Sequence, residues 1–286
     1  MRAEKEAYIL KRGVFEATLK CNLNCKHCGS KAGKARDNEL SVDEIRTLFK
    51  DLKSLGMEWI SIAGGEPMTR DDWPQIIEAA RDAGIKSGMI TNATLLDLKA
   101  AKLAKEKGLS GIGLSLDGGD GATHDFIRGR VGHFKQLMDA MDVCNSIGLP
   151  FAVLTTLNTL NKDQLVLIHD IIEKKGAYSW QLQIGTDMGN LLENKELQLS
   201  PEHLIDIEAT IGKLIKLHRV KIHPSDSIGY FGSNEKVLRR YTNKSHWKGC
   251  GAGKSVIGIE SNGNIKGCLS IMPGYNENSD KYVEGN

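Results

Sequence analysis

The 286-residue sequence has no long apolar run and no excess of charge of either sign. Its 38 basic and 36 acidic residues leave a net charge of +2. Because the two charges are nearly balanced, the composition gives no support for a nucleic-acid or membrane-surface partner. No apolar stretch approaches the roughly 18–20 residues that a membrane span requires. The N-terminal residues mix both charges and lack the apolar region and cleavage site of a secretion signal. We therefore expect a cytoplasmic protein.

Cysteine is also scarce, with six residues in the chain. A disulfide-stapled scaffold is not expected, because a chain of this length can bury a full hydrophobic core and carries no export signal. Three of the six, Cys21, Cys25 and Cys28, nevertheless fall within eight residues. Clustered cysteines in a reducing compartment indicate metal binding or redox chemistry. Cys144, in contrast, lies on an amphipathic segment and is expected in the core.

Apolar segments alternate with amphipathic segments from residue 14 to about residue 190. The predicted strands are 13–21, 59–67, 86–93, 111–118, 151–158 and 180–185. Near-continuous apolar strands that alternate with helices indicate parallel βαβ units, and six units are too few for a closed eightfold barrel. The predicted fold is therefore α/β, a partial (β/α)6 TIM-like barrel with a small C-terminal β-hairpin extension. Polar and glycine-rich clusters follow the strands, at the edge where such folds bind ligands.

The pattern divides the chain into four segments. Residues 1–13 are an N-terminal segment, 14–195 the partial barrel, 196–247 a connecting helical and irregular region, and 248–286 the start of a further domain. The last segment contains two short apolar runs around Asn262-Gly263, a dipeptide that predicts a β-hairpin with a type I′ turn. Cys250 and Cys268 lie near the outer ends of this hairpin.

The C-x3-C-x2-C spacing brings three thiolates to one loop after the first strand. Three ligands are one short of a closed structural zinc site, which would need His27 or a distant fourth ligand. On a four-iron cluster the same three ligands leave one iron open to an exogenous ligand. Both readings follow from the spacing, and the open iron is typical of a catalytic site.

The cysteine loop together with GGEP at the end of the second strand resembles the radical S-adenosylmethionine (SAM) superfamily. The resemblance implies a [4Fe–4S] cluster on Cys21, Cys25 and Cys28, whose open iron takes the methionine moiety of SAM. His27 stands where the family has an aromatic residue near the adenine. The family's glycine-rich motif is matched by four residues that the resemblance places at the SAM amino group, Gly64, Gly65, Glu66 and Pro67.

Further matches follow the third and fourth strands. The resemblance places Thr91 and Asn92 near the ribose, and Ser115 and Arg128 at the SAM carboxylate. An arginine offers two parallel donors that suit a carboxylate. Asp117 is a further candidate SAM contact, although loop capping is an equal explanation for it. The segment HDFIRG, residues 124–129, resembles the subfamily with a SPASM or twitch extension.

The same subfamily resemblance makes Cys250 and Cys268 two ligands of an auxiliary iron–sulfur cluster. Two thiolates cannot hold a four-iron cluster, and no cysteine follows them. Either the natural protein continues beyond Asn286, which we expect, or the auxiliary site is lost or completed from elsewhere.

The resemblance implies reductive cleavage of SAM to methionine and a 5′-deoxyadenosyl radical that abstracts hydrogen from a substrate. The expected substrate is a ribosomally made peptide or protein side chain, crosslinked or oxidised, which would be presented by a separate peptide-recognition carrier or would dock directly. A small molecule or tetrapyrrole is the alternative substrate, and a zinc-stabilised binding module without catalysis is the third reading. The expected electron donor is a protein such as flavodoxin or ferredoxin.

Overall fold

The computed structural model describes residues 9–225, 227–242, 246–271 and 281–286. One nine-stranded sheet runs through them. In chain order its strands are β1 (Arg12–Thr18), β2 (Trp59–Gly64), β3 (Lys86–Thr91), β4 (Gly111–Ser115), β5 (Phe151–Leu157), β6 (Ser179–Ile184), β7 (Lys221–Pro224), β8 (Val256–Ile259) and β9 (Ile265–Lys266).

Helices connect successive parallel strands, as the alternating pattern predicts. They are α1 (Val42–Ser54), α2 (Trp73–Asp82), α3 (Leu98–Lys107), α4 (Gly121–Arg128), α5 (His133–Ser146), α6 (Leu165–Lys174), α7 (Pro201–Leu217) and α8 (Glu235–Leu238). None of the helices in the described residues is long and apolar enough to cross a membrane.

The spatial order of the strands is β7-β6-β5-β4-β3-β2-β1-β8-β9. From β1 to β7 each strand lies beside its chain neighbour, so the βα units wind in one direction as they do in a barrel. Among the described residues the end strands β7 and β9 do not pair with each other, so the barrel is open. The predicted α/β partial barrel is confirmed.

Local sequence signals account for the element ends and for the core. Ser41 and Glu44 form the reciprocal capping box that starts α1. Between this helix and the sheet, Phe15 and Phe49 pack edge to face with ring centroids 5.5 Å apart, and both are fully buried. Cys144 is also buried in the core, as expected.

The sheet extends further than the six predicted strands. The region 196–247, expected to be a connection, contributes α7 and the strand β7, which pairs in parallel with β6. The C-terminal hairpin of β8 and β9 is confirmed, but β8 also pairs in parallel with β1 and thereby joins the main sheet. The boundaries of the four segments stay a prediction.

The predicted type I′ turn of the hairpin is wrong. Such a turn needs positive φ at both central residues, whereas only Gly263, at φ 93°, has it, and Asn262 does not. The Gly263 N–H donates to the Glu260 carbonyl at 2.9 Å, which closes a turn centred on Ser261 and Asn262. The glycine then follows this turn in the left-handed region, an arrangement typical of longer hairpin loops.

Candidate active site

Cys21, Cys25 and Cys28 lie on the loop between β1 and α1, and we call residues 21–28 the cysteine loop. Neighbouring elements hold its backbone: the Cys21 N–H donates to the Gly33 carbonyl at 3.0 Å, and the Lys26 N–H donates to the Ile127 carbonyl at 2.9 Å. The loop therefore lies at the carboxyl edge of the sheet, where the polar clusters of neighbouring strands also end.

Asn190 is a further anchor of the cysteine loop. Its side-chain amide donates to the Cys25 carbonyl at 2.8 Å, and its backbone N–H donates to the Cys28 carbonyl at 2.8 Å. Sequence reasoning missed this residue, because it lies about 165 positions from the loop in a segment without a recognisable motif.

The three thiols suit a cluster better than a single ion. A tetrahedral zinc site has Zn–S distances of about 2.3 Å, which places its sulfur atoms less than about 4 Å apart. Among the described residues, only His169, Asp170 and Glu173 bring three donor atoms within 4.8 Å of one another. The cysteine sulfurs are therefore spread more widely than one zinc ion requires, as the larger iron–sulfur core demands.

Burial keeps the Cys21 and Cys25 thiols protonated in the absence of a metal centre. Desolvation raises the pKa of Cys21 to about 11. It also raises the pKa of Cys25, although the Arg128 guanidinium, 3.6 Å from the Cys25 sulfur, opposes the shift. A positively charged metal centre stabilises thiolates directly, so cluster binding would release the protons that burial otherwise retains.

Gly64 and Gly65 allow close contact between the end of β2 and the cysteine loop. A Cβ atom on Gly64 would lie 2.3 Å from the Thr18 carbonyl oxygen, and one on Gly65 would lie 2.2 Å from the Lys20 carbonyl oxygen. The Gly65 N–H also donates to the Thr18 carbonyl at 2.8 Å. Packing against the chain itself thus requires both glycines.

Glu66, the next residue of the glycine-rich motif, is fully buried. Its carboxylate accepts hydrogen bonds from the Asn92 N–H at 2.7 Å, the Thr91 hydroxyl at 2.8 Å and the Met68 N–H at 3.1 Å. Burial raises the pKa of Glu66 although these donors oppose the shift. The side chain therefore fixes the end of β3, and its predicted contact with the SAM amino group stays a prediction.

Asp117 and Arg128 form a buried ion pair. Arg128 Nη2 lies 2.6 Å from Asp117 Oδ2, and Asp117 Oδ1 accepts from the Thr156 N–H at 2.8 Å. Burial raises the pKa of Asp117, but the Arg128 guanidinium together with smaller contributions, among them the Thr156 N–H, outweighs burial and holds this pKa below its ordinary value. His27 Nε2 lies 3.6 Å from the same oxygen, while burial lowers the pKa of His27 to about 4 and keeps the imidazole neutral.

Two buried histidines join the ends of β3 and β4. The Asp117 N–H donates to His124 Nδ1 at 3.1 Å, so the proton of that ring lies on Nε2. His124 Nε2 then donates to His133 Nδ1 at 2.8 Å, and His133 Nε2 donates to the Asn92 carbonyl at 2.8 Å. Burial lowers the pKa of both rings, that of His124 to about 3, so the chain of hydrogen bonds connects two neutral imidazoles.

A cavity of about 360 Å³ opens beside the cysteine loop, a size within the range of small-molecule sites. Seven of the ten predicted cofactor-binding residues line it together with all three cysteines: His27, Gly64, Gly65, Thr91, Asn92, Ser115 and Arg128. Glu66, Pro67 and Asp117 do not line it and lie buried behind it. The opposite wall was not foreseen and includes Thr156, Gln183, Met188, Leu269 and Ser270.

Two polar atoms of residues in the cavity wall lack partners. His27 Nδ1 and Arg128 Nε are buried without a hydrogen-bond partner among the described residues. Both atoms are closed to solvent, so it is other atoms of His27 and Arg128 that line the cavity. The chemistry of the lining, three thiols beside a guanidinium, fits an iron–sulfur cluster and the carboxylate of SAM.

Cys250 and Cys268 do not line the cavity. The Cys250 sulfur accepts from the Ala252 N–H at 3.4 Å, and the Cys268 sulfur accepts from the Ser270 N–H at 3.4 Å. Leu269 and Ser270 nevertheless reach the cavity wall, so the hairpin segment contributes to the site. The auxiliary cluster at these cysteines stays a prediction.

Comparison with known proteins agrees with this geometry. A model of the Radical SAM superfamily matches residues 15–172. The chain is 37% identical over 208 residues to the Fe-coproporphyrin III synthase of Methanosarcina barkeri, covering 72% of this chain and 52% of that protein. It is 26% identical over 277 residues to the AdoMet-dependent heme synthase of the same organism, covering 91% and 78%. The chain thus spans about half the length of the first relative.

The fold also matches a solved structure. Streptococcus suis SuiB bound to S-adenosylmethionine superposes with a TM-score of 0.76 at 16% identity, over 95% of this chain and 63% of SuiB. At that identity the likeness concerns the fold alone.

Proposed function

The chain belongs to the radical SAM superfamily, and we propose that it applies the chemistry of that family to a tetrapyrrole. Radical SAM enzymes use a [4Fe–4S] cluster and SAM. When bound, the two supply a 5′-deoxyadenosyl radical that removes a hydrogen atom from the substrate.

The residues of this chain would hold, orient and shield these groups. The cysteine loop would hold the cluster, with its backbone fixed by Asn190 and by the carbonyl of Ile127. Arg128, which lines the cavity, would place the SAM carboxylate, while Asp117 keeps the guanidinium in position. Glu66 would keep Asn92 in position at the cavity wall.

The similarity to Fe-coproporphyrin III synthase carries the choice of substrate. The identity of 37% extends over 208 residues, or 72% of this chain, which is far more than the cysteine loop alone. The second relative, a heme synthase, is aligned over 91% of the chain. Both names point to an iron tetrapyrrole with carboxylate side chains.

A peptide or protein side chain, the substrate expected from the sequence, is the second candidate. Two features favour it: the HDFIRG segment, residues 124–129, and the C-terminal hairpin with Cys250 and Cys268, both of which resemble SPASM or twitch enzymes. Membership of that subfamily and a separate peptide-recognition carrier belong to this proposal.

Anaerobic turnover tests the proposal. Reconstituted protein is reduced with dithionite, supplied with SAM, and incubated with Fe-coproporphyrin III or with a more carboxylated iron tetrapyrrole. We expect 5′-deoxyadenosine to form faster with one of these substrates than without substrate, together with a mass change of the tetrapyrrole. The Cys21→Ala, Cys25→Ala, Cys28→Ala variant is the matched control and should give neither product.

The outcomes separate the two candidates. If no tetrapyrrole accelerates 5′-deoxyadenosine formation although SAM is cleaved, the tetrapyrrole proposal is wrong. Acceleration by a short peptide encoded beside the gene, with a mass change of that peptide, would support the second candidate instead.

A further inference from the structure

A second group of potential metal ligands lies on α6. Among the described residues, the donor atoms of His169, Asp170 and Glu173 are the one set of three that lie within 4.8 Å of one another. None of these side chains lines the cavity beside the cysteine loop. The group is therefore separate from the SAM site, and its presence needs an explanation of its own.

His169 is the unusual member of this group. Its side chain is completely buried, and neither Nδ1 nor Nε2 has a hydrogen-bond partner among the described residues. Both ring nitrogens of a histidine can donate or accept, and buried polar atoms of folded proteins are almost always paired. The ring therefore has unused capacity to bind a ligand.

The neighbour of His169 on the sheet does not supply the missing partner. The His169 ring lies beside that of Trp180 in β6, with the two ring centroids 6.5 Å apart. The one polar atom of this indole, Nε1, already donates to the Thr155 hydroxyl at 2.8 Å. The polar groups left to the histidine are the half-exposed carboxylates of Asp170 and Glu173.

The distances suit a bound ion better than a hydrogen bond. His169 Nδ1 lies 3.6 Å from Asp170 Oδ1, which is beyond hydrogen-bond range. Two ligand atoms held tetrahedrally at about 2.0–2.2 Å from one ion lie roughly 3.3–3.6 Å apart. The two atoms thus have the spacing of ligands that share an ion. Glu173 lies one helical turn after His169, so its carboxylate reaches the same point.

Arg219 orients the third ligand of this group. Arg219 Nη1 lies 3.2 Å from Glu173 Oε2, and the other oxygen of the carboxylate has no partner among the described residues. Carboxylates that bind metal ions are commonly held by such outer hydrogen bonds. Because Arg219 lies two residues before β7, an ion on Glu173 would also connect α6 to the start of that strand.

We propose that His169, Asp170 and Glu173 bind one divalent transition-metal ion of the zinc class, with water in the fourth position. One imidazole nitrogen with carboxylate oxygens suits zinc, whereas Mg²⁺ and Ca²⁺ prefer oxygen ligands alone. The two carboxylates neutralise the charge of the ion, and the buried imidazole gains a partner. The ion fastens α6 to the neighbouring strand and takes no part in the radical chemistry.

Zinc binding to the reconstituted enzyme tests the proposal. Protein with its iron–sulfur cluster in place is dialysed anaerobically against micromolar Zn²⁺, and zinc and iron are then measured per chain. The Asp170→Asn, Glu173→Gln variant should hold one zinc ion fewer than wild type at the same iron content. Loss of outer partners alone weakens metal sites about 10- to 100-fold, so loss of two ligands should weaken this site more than about 100-fold. Both substitutions preserve side-chain size and leave the buried histidine in place, so the variant should fold.

A matched control removes two carboxylates from the neighbouring helix. Asp139 and Asp142 on α5 have the same spacing in sequence as the two α6 carboxylates, but they belong to no group of three close donors in the described part of the chain. The variant Asp139→Asn, Asp142→Asn should bind as much zinc as wild type does.

X-ray absorption at the zinc edge identifies the ligands. It is measured on protein that also carries Cys250→Ala and Cys268→Ala, so that the thiols of the hairpin do not contribute. We expect nitrogen and oxygen ligands at about 2.0–2.2 Å, with the outer-shell scattering of one imidazole. Sulfur at about 2.3 Å would assign the ion to the cysteine loop and would overturn the proposal.

Three zinc measurements would also overturn it. These are equal zinc content in wild type and the Asp170→Asn, Glu173→Gln variant, an equal loss in the control variant, and binding that needs millimolar zinc, which would show an adventitious ion only. Both variants should form 5′-deoxyadenosine at the wild-type rate. Failure of the proposed function and failure of the metal site are therefore observed in separate assays.

Discussion

Replacing Arg128 by alanine should reduce stability as well as SAM binding. The Asp117 carboxylate is fully buried, and the guanidinium 2.6 Å away is its counter-charge. Removing one partner of a buried ion pair leaves an uncompensated charge and costs about 3–5 kcal/mol. The second effect is expected from the sequence, since the loss of a charge-assisted contact with the SAM carboxylate weakens binding by about 2–3 kcal/mol, or roughly 30- to 150-fold.

A double variant separates the two effects. Arg128→Met with Asp117→Asn removes both charges but keeps the side-chain oxygen that accepts from the Thr156 N–H. We expect the double variant to unfold within about 2 kcal/mol of wild type, because a neutral buried pair needs no counter-charge. Its SAM affinity should stay as weak as that of Arg128→Ala, because the guanidinium is still missing.

The pH dependence gives an independent check. In wild type the pKa of Asp117 is low, so the stability that its carboxylate contributes is present above the ordinary aspartate range and is lost as the pH falls. In Arg128→Ala the largest interaction that opposes burial is gone, so burial raises the pKa of Asp117. The carboxylate then destabilises the folded state as the pH rises. The free energy of unfolding of Arg128→Ala should therefore lie further below that of wild type at pH 8 than at pH 5.

Urea unfolding of the cluster-free protein, under anaerobic reducing conditions, measures stability, and titration of the reconstituted protein measures SAM affinity. An Arg128→Ala variant within about 1 kcal/mol of wild type at pH 8 would show that the ion pair does not compensate the buried carboxylate. A double variant with wild-type SAM affinity would show that the guanidinium does not contact SAM.

Three further substitutions probe the walls of the site. Replacing the three cysteines of the cysteine loop by alanine should abolish the cluster absorption near 400 nm and all SAM cleavage, because their thiolates are the ligands that the protein gives to the cluster. Residual formation of 5′-deoxyadenosine would contradict this prediction. Glu66→Gln should cost about 1–3 kcal/mol in urea unfolding, since the Asn92 N–H would face an amide N–H₂ group or the Thr91 hydroxyl would lose its acceptor; a neutral effect would contradict the bonding described. His133→Leu should cost about 1–3 kcal/mol and weaken SAM binding, because it leaves His124 Nε2–H and the Asn92 carbonyl without partners; unchanged stability would refute the role of the histidine pair.

Sequence patterns predicted the barrel because each βα unit is local. The helix that Ser41 caps follows from a capping box within four residues, and β2 and β5 follow from largely apolar runs. The strand β7 was missed because it has four residues and ends at Pro224, which leaves too short a run to distinguish from a loop. The parallel pairing of β8 with β1 joins residues about 240 positions apart, and no local pattern specifies such a partner.

The cofactor-binding residues were predicted from the family resemblance, and the strand pattern explains why most of them meet in one cavity. Parallel strands bring their carboxyl ends to one edge, so polar clusters that follow successive strands must meet there. That argument places Asn92 and Ser115 beside the cysteines, where the structure has them. It does not specify which side chain of a cluster faces the cavity and which supports it from behind. Glu66 and Asp117 are of the supporting kind, and only the three-dimensional contacts distinguish them from Arg128.

The cysteine loop is held by residues next to those that line the cavity. Substitutions in this part of the cavity wall are therefore expected to affect the position of the cysteine loop as well. Asn190 donates to the backbone of Cys25 and Cys28, and it lies two residues after Met188, which lines the cavity. Gly189, between them, packs so closely on the loop that a Cβ atom would lie 2.2 Å from the Cys28 carbonyl oxygen. A substitution that displaces Met188 therefore also displaces the supports of two cluster ligands. Substitutions that alter substrate specificity at this wall must therefore retain Gly189 and Asn190. Met188 itself can be replaced without loss of cluster binding only if its backbone does not move.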